Sequence, residues 1–411
     1  MEQSEYIAAL DLGTSKMVLM AATQKNGVLS ILGTQKTASG NSIRRGTIYN
    51  IEEAAEKIAS LVKDLNSSLR PGIKKVYVGI GGQSLRSEYY TIYRELGEDD
   101  ETITDEIVDS LQKECRKYVP ELAENSGIAS TEYYLDGRPE TSPTGIHCHN
   151  IEAKFQLILG RPSLKRSVIE SMKKAGVEIA GFFVSPLATA EAVLSTKEKK
   201  LGCALVEFGA GITYLSIYKD GLLKYLVAIP LGGNVITKDI CSLKILETDA
   251  EERKIREGNA LLEAGNADQF DIIVESRMSE IVANVRKQIE LSGYESDLAE
   301  GIIITGGGSL LKNVERLIAQ QTGKQVRRAN ADDPTEACVR GLLLLGNENC
   351  AEEIPVIEQP NPTSLEELFG VPTQNTEKKQ QKEKRKDPKK PGLLDMLKDK
   401  MVNAGTTLFS E

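Results

Sequence analysis

Apolar runs of strand length recur along this chain, broken by glycine turns and by a few stretches with helical spacing. Residues 6–40 read as strands, with Asn26-Gly27 marking a tight hairpin between alternating segments. From residue 51 the apolar positions change to a helical period (Ala54, Ile58, Leu61, Val62, Leu65), and Pro71-Gly72 ends the run. A strand over 75–80 enters Gly81-Gly82. Residues 84–162 then read as a small α+β insert. It has a β-rich run at 89–93, a helix from Thr104 as N-cap to about Tyr118, and two more β-rich runs separated by Asp136-Gly137 and Pro143. Pro162 opens a helix over 163–175, followed by a strand over 177–184. The stretch from Ser185-Pro186 to Leu194 is alanine-rich and suits close helix contact.

The second half repeats the plan. Strands are predicted at 203–218 and 222–229, and an amphipathic helix near 272–292 (Val274, Met278, Ile281, Val282, Val285, Ile289). The strand 302–305 enters Gly306-Gly307-Gly308-Ser309. Order is expected to end near Gly346, because residues 347–391 are rich in Pro, Glu, Gln and Lys, as in a disordered linker. That linker carries a basic block at 378–390, and the last twenty residues turn apolar again.

Two turns carry the candidate chemistry. Asp11-Leu12-Gly13-Thr14-Ser15-Lys16 and Glu207-Phe208-Gly209-Ala210-Gly211-Ile212-Thr213 each follow an apolar strand and precede another. Such a turn aims backbone N–H groups at phosphate oxygens, since glycine has no Cβ to block close approach. One turn in each half predicts a duplicated α/β fold that clamps a nucleoside triphosphate from both sides.

Composition narrows the class. With 411 residues, 40% hydrophobic and 27% charged, the chain has room for two or more globular domains. A net charge of −9 argues against a nucleic-acid binder. The cysteines at 115, 148, 203, 241, 338 and 350 lack the paired spacing of a disulfide framework or zinc ribbon. Neighbours in a strand face opposite ways, so His147-Cys148-His149 is not expected to chelate a metal. The N-terminus is acidic and no apolar run approaches the ~20 residues of a membrane span, so a cytoplasmic protein is expected.

In this order the segments resemble the actin/sugar-kinase ATPase superfamily and, within it, the FtsA family of bacterial division proteins. The likeness rests on residues 11–17, Ser185-Pro186-Leu187-Ala188-Thr189-Ala190-Glu191-Ala192-Val193-Leu194, Leu231-Gly232-Gly233-Asn234, Ala250-Glu251-Glu252-Arg253-Lys254, residues 303–309 and Cys338-Val339-Arg340-Gly341-Leu342-Leu343. It covers roughly 5–346 plus the terminal helix. The implied fold is a duplicated actin-like (ribonuclease H-like) two-domain α/β clamp. Residues 1–83 and 163–200 would form the first domain and 84–162 the inserted subdomain. The second domain would span 201–346, with a helical part near 236–300, ahead of the linker and an amphipathic helix at 392–411.

The resemblance also implies a site for ATP and Mg²⁺. Asp11 and Glu207 would hold the metal through water, while Gly13, Thr14, Ser15, Lys16, Gly209, Gly211 and Thr213 wrap the phosphates. Gly306, Gly307 and Ser309 would approach the adenosine, with Gly232 and Gly233 nearby and Glu251 and Lys254 along ribose and base. Glu191 would position the attacking water, although a helix packed by its alanines with one surface charge is an equal reading. The family usually has Asp where this chain has Glu207, and a second acid where it has Tyr214, so hydrolysis is expected to be slow at most.

The partners implied are the C-terminal tail of tubulin-like FtsZ, docking near Arg277, Asn284 and Arg286, and further copies of this chain in filaments. Anionic inner-membrane lipids and later division proteins complete the list. In the tail, Leu393, Leu394, Leu397 and Met401 share one helical arc, with Asp395, Lys398 and Asp399 opposite. That pattern and the basic block suit a peripheral anchor on the cytoplasmic face of the inner membrane at the division site. A pilus-assembly actin-like module and a metabolite kinase on the same fold stay open as alternatives.

Overall fold

The computed structural model describes residues 5–97, 101–118, 120, 123–262 and 267–352. One strand order occurs in both halves of the chain. In a five-stranded sheet, Val28–Ala38, Lys16–Lys25 and Ile7–Leu12 form an antiparallel meander. Lys75–Ile80 and Glu178–Val184 extend it in parallel from Ile7–Leu12. In a nine-stranded sheet, Leu222–Ile229, Thr213–Lys219 and Cys203–Phe208 form the same meander, and Ile302–Thr305 and Val326–Arg328 extend it in parallel.

Arg86–Glu95, Asn150–Gly160, Glu124–Leu135 and Arg138–Glu140 supply the other strands of the larger sheet. Here space departs from chain order. These residues follow Lys75–Ile80 of the first sheet, yet they attach to the edge of the second through the pair Arg86↔Val227. Leu85 O accepts from Ala228 N at 3.0 Å, Ser87 Oγ from Leu226 N at 2.7 Å, and Ser130 Oγ donates to Leu223 O at 2.9 Å. Lys224, buried at 5% exposure, pairs with Glu132 at 2.8 Å. The insert also has its own core, with Phe155, Ile151 and Leu157 from the strands against Ile103 and Leu111 beside the helix Asp105–Arg116. Thr104 caps that helix, its hydroxyl accepting from Ile107 N.

The predicted helices form where their periods lie. Ile51–Asn66 buries Ala54, Ala55, Ile58, Leu61 and Leu65 and is capped by Asn50. Gln269–Ser292 starts earlier than the apolar pattern suggested, at an Asp268/Asp271 capping box, and buries Val274, Met278, Ile281, Val282, Val285 and Ile289 in the second core. Two short helices, Ser185–Val193 and Ala337–Leu345, cross where a Cβ on Gly341 would lie 1.8 Å from Ala188 O. Ala337–Leu345 packs on the first sheet, against Ile7–Leu12, Lys16–Lys25 and Lys75–Ile80.

Residues just beyond Gly346, expected to lie outside the ordered body, instead return to that sheet. Cys350 N donates to Tyr6 O at 2.8 Å, and Lys74 N donates to Cys350 O at 2.9 Å. Among the described residues no helix is long and apolar enough to cross a membrane. All six cysteines are free.

Candidate functional site

Each glycine turn is shaped by a close approach that excludes a side chain. A Cβ on Gly13 would sit 2.7 Å from Lys16 O, and one on Gly209 would sit 2.8 Å from Ile212 O. The chain folds back on the carbonyl three residues ahead in both halves, the strongest mark of duplication at the site. The two turns also touch each other: a Cβ on Gly211 would lie 2.8 Å from Thr14 Oγ1, which accepts from Gly46 N at 2.9 Å. The helix Gly233–Ile240 begins beneath the second turn, with Gly233 N and Asn234 N donating to Gly209 O and Ala210 O.

Between the turns lies a cavity of about 360 Å³. Of the residues expected at a nucleotide, Asp11, Gly13, Thr14, Ser15, Lys16, Glu207, Gly209, Gly211, Gly232, Gly233, Glu251, Lys254, Gly306 and Gly307 line it. Its apolar lining includes Ile236, Met278, Ile281 and Leu311, with Ile255 and Leu310, both largely exposed.

Three expected residues lie elsewhere. Thr213 is buried and its hydroxyl donates to Leu231 O at 2.9 Å. Ser309 turns its hydroxyl back to Gly306 O at 2.7 Å. Glu191 points outward and pairs with Lys199 at 2.6 Å. In its place Ser185 lines the cavity, and Thr189, one helical turn on, stands beside Glu207. Ser185 and Thr189 share a helix face while Glu191 lies about 200° round from Thr189, so helical spacing would have favoured the hydroxyl pair. Tyr214, Cys338 and Thr335 are further lining residues not foreseen as ligand contacts.

The electrostatics centre on two carboxyl groups. Burial raises the pKa of Asp11, opposed by a hydrogen bond from the Cys338 thiol and by Lys16. Burial, then the Asp11 charge, pushes Glu207 up to about 7. Thr189 favours the Glu207 carboxylate by proximity, but neither Glu207 Oε2 nor Thr189 Oγ1 has a hydrogen-bond partner of good geometry in the described structure. Burial also holds Cys338 as a neutral thiol. A buried carboxylate oxygen without a partner, facing a second carboxyl, fits a divalent cation that keeps some water and phosphate ligands. Among the described residues no cluster of three or more His, Cys, Asp or Glu side chains could cage a metal.

Lys254 is buried and donates to Glu251 Oε2 at 2.6 Å, Thr237 Oγ1 at 2.8 Å and Gly233 O at 3.2 Å. On the outer side of Gln269–Ser292, Arg277 is paired with Asp239 and Glu280. Asn284 Nδ2 donates to Glu280 O at 2.9 Å, and Arg286 lies 3.4 Å from Glu290. Leu393, Leu394, Leu397 and Met401 lie outside the described residues.

One strand-and-turn plan used twice around a single cavity makes this an actin-like protein. Two solved structures share the fold. The PilM-PilN type IV pilus biogenesis complex matches with a TM-score of 0.61 at 16% identity, over 82% of this chain and 97% of that one. The ethanolamine utilization protein EutJ from Carboxydothermus hydrogenoformans matches with a TM-score of 0.52 at 15% identity, over 84% and 91%. A family model for cell division protein FtsA matches residues 204–341. Cell division protein FtsA of Porphyromonas gingivalis is 33% identical over 351 residues, 79% of this chain and 73% of the relative. The Bacillus subtilis FtsA is 26% identical over 376 residues, 85% of each. The chain belongs to the FtsA family of actin-like cell-division proteins.

Proposed function

We propose that this protein is an ATP-binding scaffold of bacterial division that holds FtsZ filaments to the cytoplasmic face of the inner membrane and assembles with copies of itself. The observation that carries the nucleotide reading is the meeting of both glycine turns, the triple-glycine segment and the Glu251–Lys254 pair around one cavity. Phosphates suit the turns, and the apolar lining from Met278, Ile281 and Leu311 suits a purine. Asp11 and Glu207 would hold Mg²⁺ through water, supplying charge neutralisation for the phosphates. With Glu191 turned away, ATP is read as a conformational and assembly ligand that shifts the population of closed clamps. A steady-state turnover of ~10 s⁻¹ or more, typical of metabolic enzymes, would contradict this.

The FtsZ tail is assigned to the outer side of Gln269–Ser292, where an acidic peptide would compete with Glu280 and Glu290 for Arg277 and Arg286. The apolar arc of the C-terminal tail, with the basic block before it, is assigned to anionic lipid. Later division proteins would join the assembled scaffold. Thermal-shift measurement with ATP–Mg²⁺ on the full chain, followed by pulldown with the FtsZ C-terminal peptide, tests the reading. No nucleotide-dependent shift removes the ligand, and no captured peptide removes the partner.

A further inference from the structure

We propose that Asp333 and Thr335 are positioning residues for Lys16, fixing where its ammonium stands at the anion end of the cavity. The proposal rests on the reading of that cavity as a nucleotide site. Lys16 lies just past the first glycine turn on a flexible four-carbon stem, and nothing in its own strand dictates the direction of the head group.

The direction comes from a segment more than three hundred residues later. Lys16 Nζ donates to Thr335 Oγ1 at 2.5 Å, and Thr335 Oγ1 lies 2.6 Å from Asp333 Oδ1. An ammonium cannot accept and a carboxylate cannot donate. The single hydroxyl proton therefore goes to Asp333, and the relay runs one way, from Lys16 through Thr335 to Asp333.

Thr335 is itself anchored. Its N–H donates to Asp333 Oδ1 at 2.8 Å, and Pro334 between them accepts from Gly306 N at 3.2 Å and from Thr305 Oγ1 at 3.3 Å. The segment is thus tied to the triple-glycine turn, so Lys16 follows Thr335 rather than the reverse.

The surrounding charges make this contact matter. Asp11, Asp333 and Glu336 face Lys16 as opposite charges and Lys36 as a like charge. Burial first, then Lys36, lowers the Lys16 pKa, and Asp333 opposes them. Lys36 is in turn occupied by Glu336 at 2.6 Å and Asp333 at 3.5 Å. Without the relay, the Lys16 ammonium loses its link to Asp333 while the repulsion from Lys36 remains.

The test uses the full-length protein. Thr335→Val keeps the shape and the backbone N–H and deletes only the relay, while Thr335→Ser restores it. Competitive acylation read by mass spectrometry across a pH series reports the Lys16 ionisation without any nucleotide. In Thr335→Val its midpoint is expected to move to lower pH, and in Thr335→Ser to return. Calorimetric titration with ATP is expected to show about tenfold weaker binding in Thr335→Val, recovered in Thr335→Ser and absent as a further loss in a Lys16→Ala background.

An unchanged acylation profile overturns the proposal, as does an equal affinity loss with and without Lys16. Failure of the wild type to bind ATP while the acylation profile shifts removes the nucleotide reading and leaves the positioning of Lys16 standing.

Discussion

Tyr214 Oη accepts the Gly82 amide proton at 2.7 Å, so a side chain of the second sheet holds the point where the chain leaves the first. The bond is buried, and Tyr214 pairs with Glu207 in the strand register, beside the carboxyl cluster. Tyr214→Phe keeps the ring and leaves Gly82 N–H without its partner. A loss on the order of 1–3 kcal/mol is expected, the cost of an unsatisfied buried donor. Denaturant unfolding measures the loss, and faster exchange of the Gly82 amide locates it. Wild-type values for both would show that the bond contributes nothing.

Two glycines separate binding from folding. A Cβ on Gly307 meets only Thr335 Cγ2, at 3.8 Å, so the position opens toward the cavity. Gly307→Leu is expected to fold normally and to lose most ATP affinity. Gly341→Ala is expected to do the opposite of sparing the fold, because its Cβ would lie 1.8 Å from Ala188 O and force the crossing helices apart. Melting temperatures and calorimetric affinities for the two variants give the comparison. A melting temperature for Gly307→Leu as low as that of Gly341→Ala would refute the separation.

Glu207 ties stability to pH. Its folded pKa of about 7 stands above the ordinary 4.5, chiefly through burial. Between these values the folded state holds a proton that the unfolded state has released. Stability therefore falls as pH rises through that window and levels off above pH 7. Glu207→Gln is expected to flatten the dependence and to be more stable than wild type near pH 8. Urea midpoints between pH 5 and 8 decide it. A divalent cation should reverse the penalty, with affinity rising as the proton leaves.

The proposed membrane attachment rests on tail residues that lie outside the described residues. On this proposal, burying Leu393, Leu394, Leu397 and Met401 would contribute on the order of 1–2 kcal/mol each, and each basic residue near the surface about 1 kcal/mol more. Liposome co-sedimentation of the full chain, Leu397→Glu and a chain ending at Glu352 is expected to fall in that order, and to weaken with salt. The cut follows Cys350 because that residue pairs with Tyr6. Equal sedimentation of all three would exclude the tail as an anchor.

The parts of the structure readable from sequence are those set by neighbours in the chain. Both glycine turns, the Thr104 cap and the helix Ser163–Ala175 arise from local spacing and stand where expected. Contacts that join distant segments were hidden. Nothing near Arg86 indicates that it will pair with Val227, and nothing near Lys16 names Thr335. The Thr213 and Ser309 hydroxyls look like ligands in a linear motif, but each satisfies a nearby carbonyl instead. For Glu191 the sequence left a water-positioning role and a surface charge equally open, and its pairing with Lys199 on the outer side of the helix fits the second.

The return of residues 337–350 to the first sheet sets an order on biosynthesis. Ile7–Leu12 is made long before the helix that packs on it and the Cys350 amide that meets Tyr6. At roughly 5–20 residues per second the delay is on the order of tens of seconds. Throughout that interval the strands on which Ala337–Leu345 packs lack that partner. The first sheet completes its packing only after the second half of the described residues has been made.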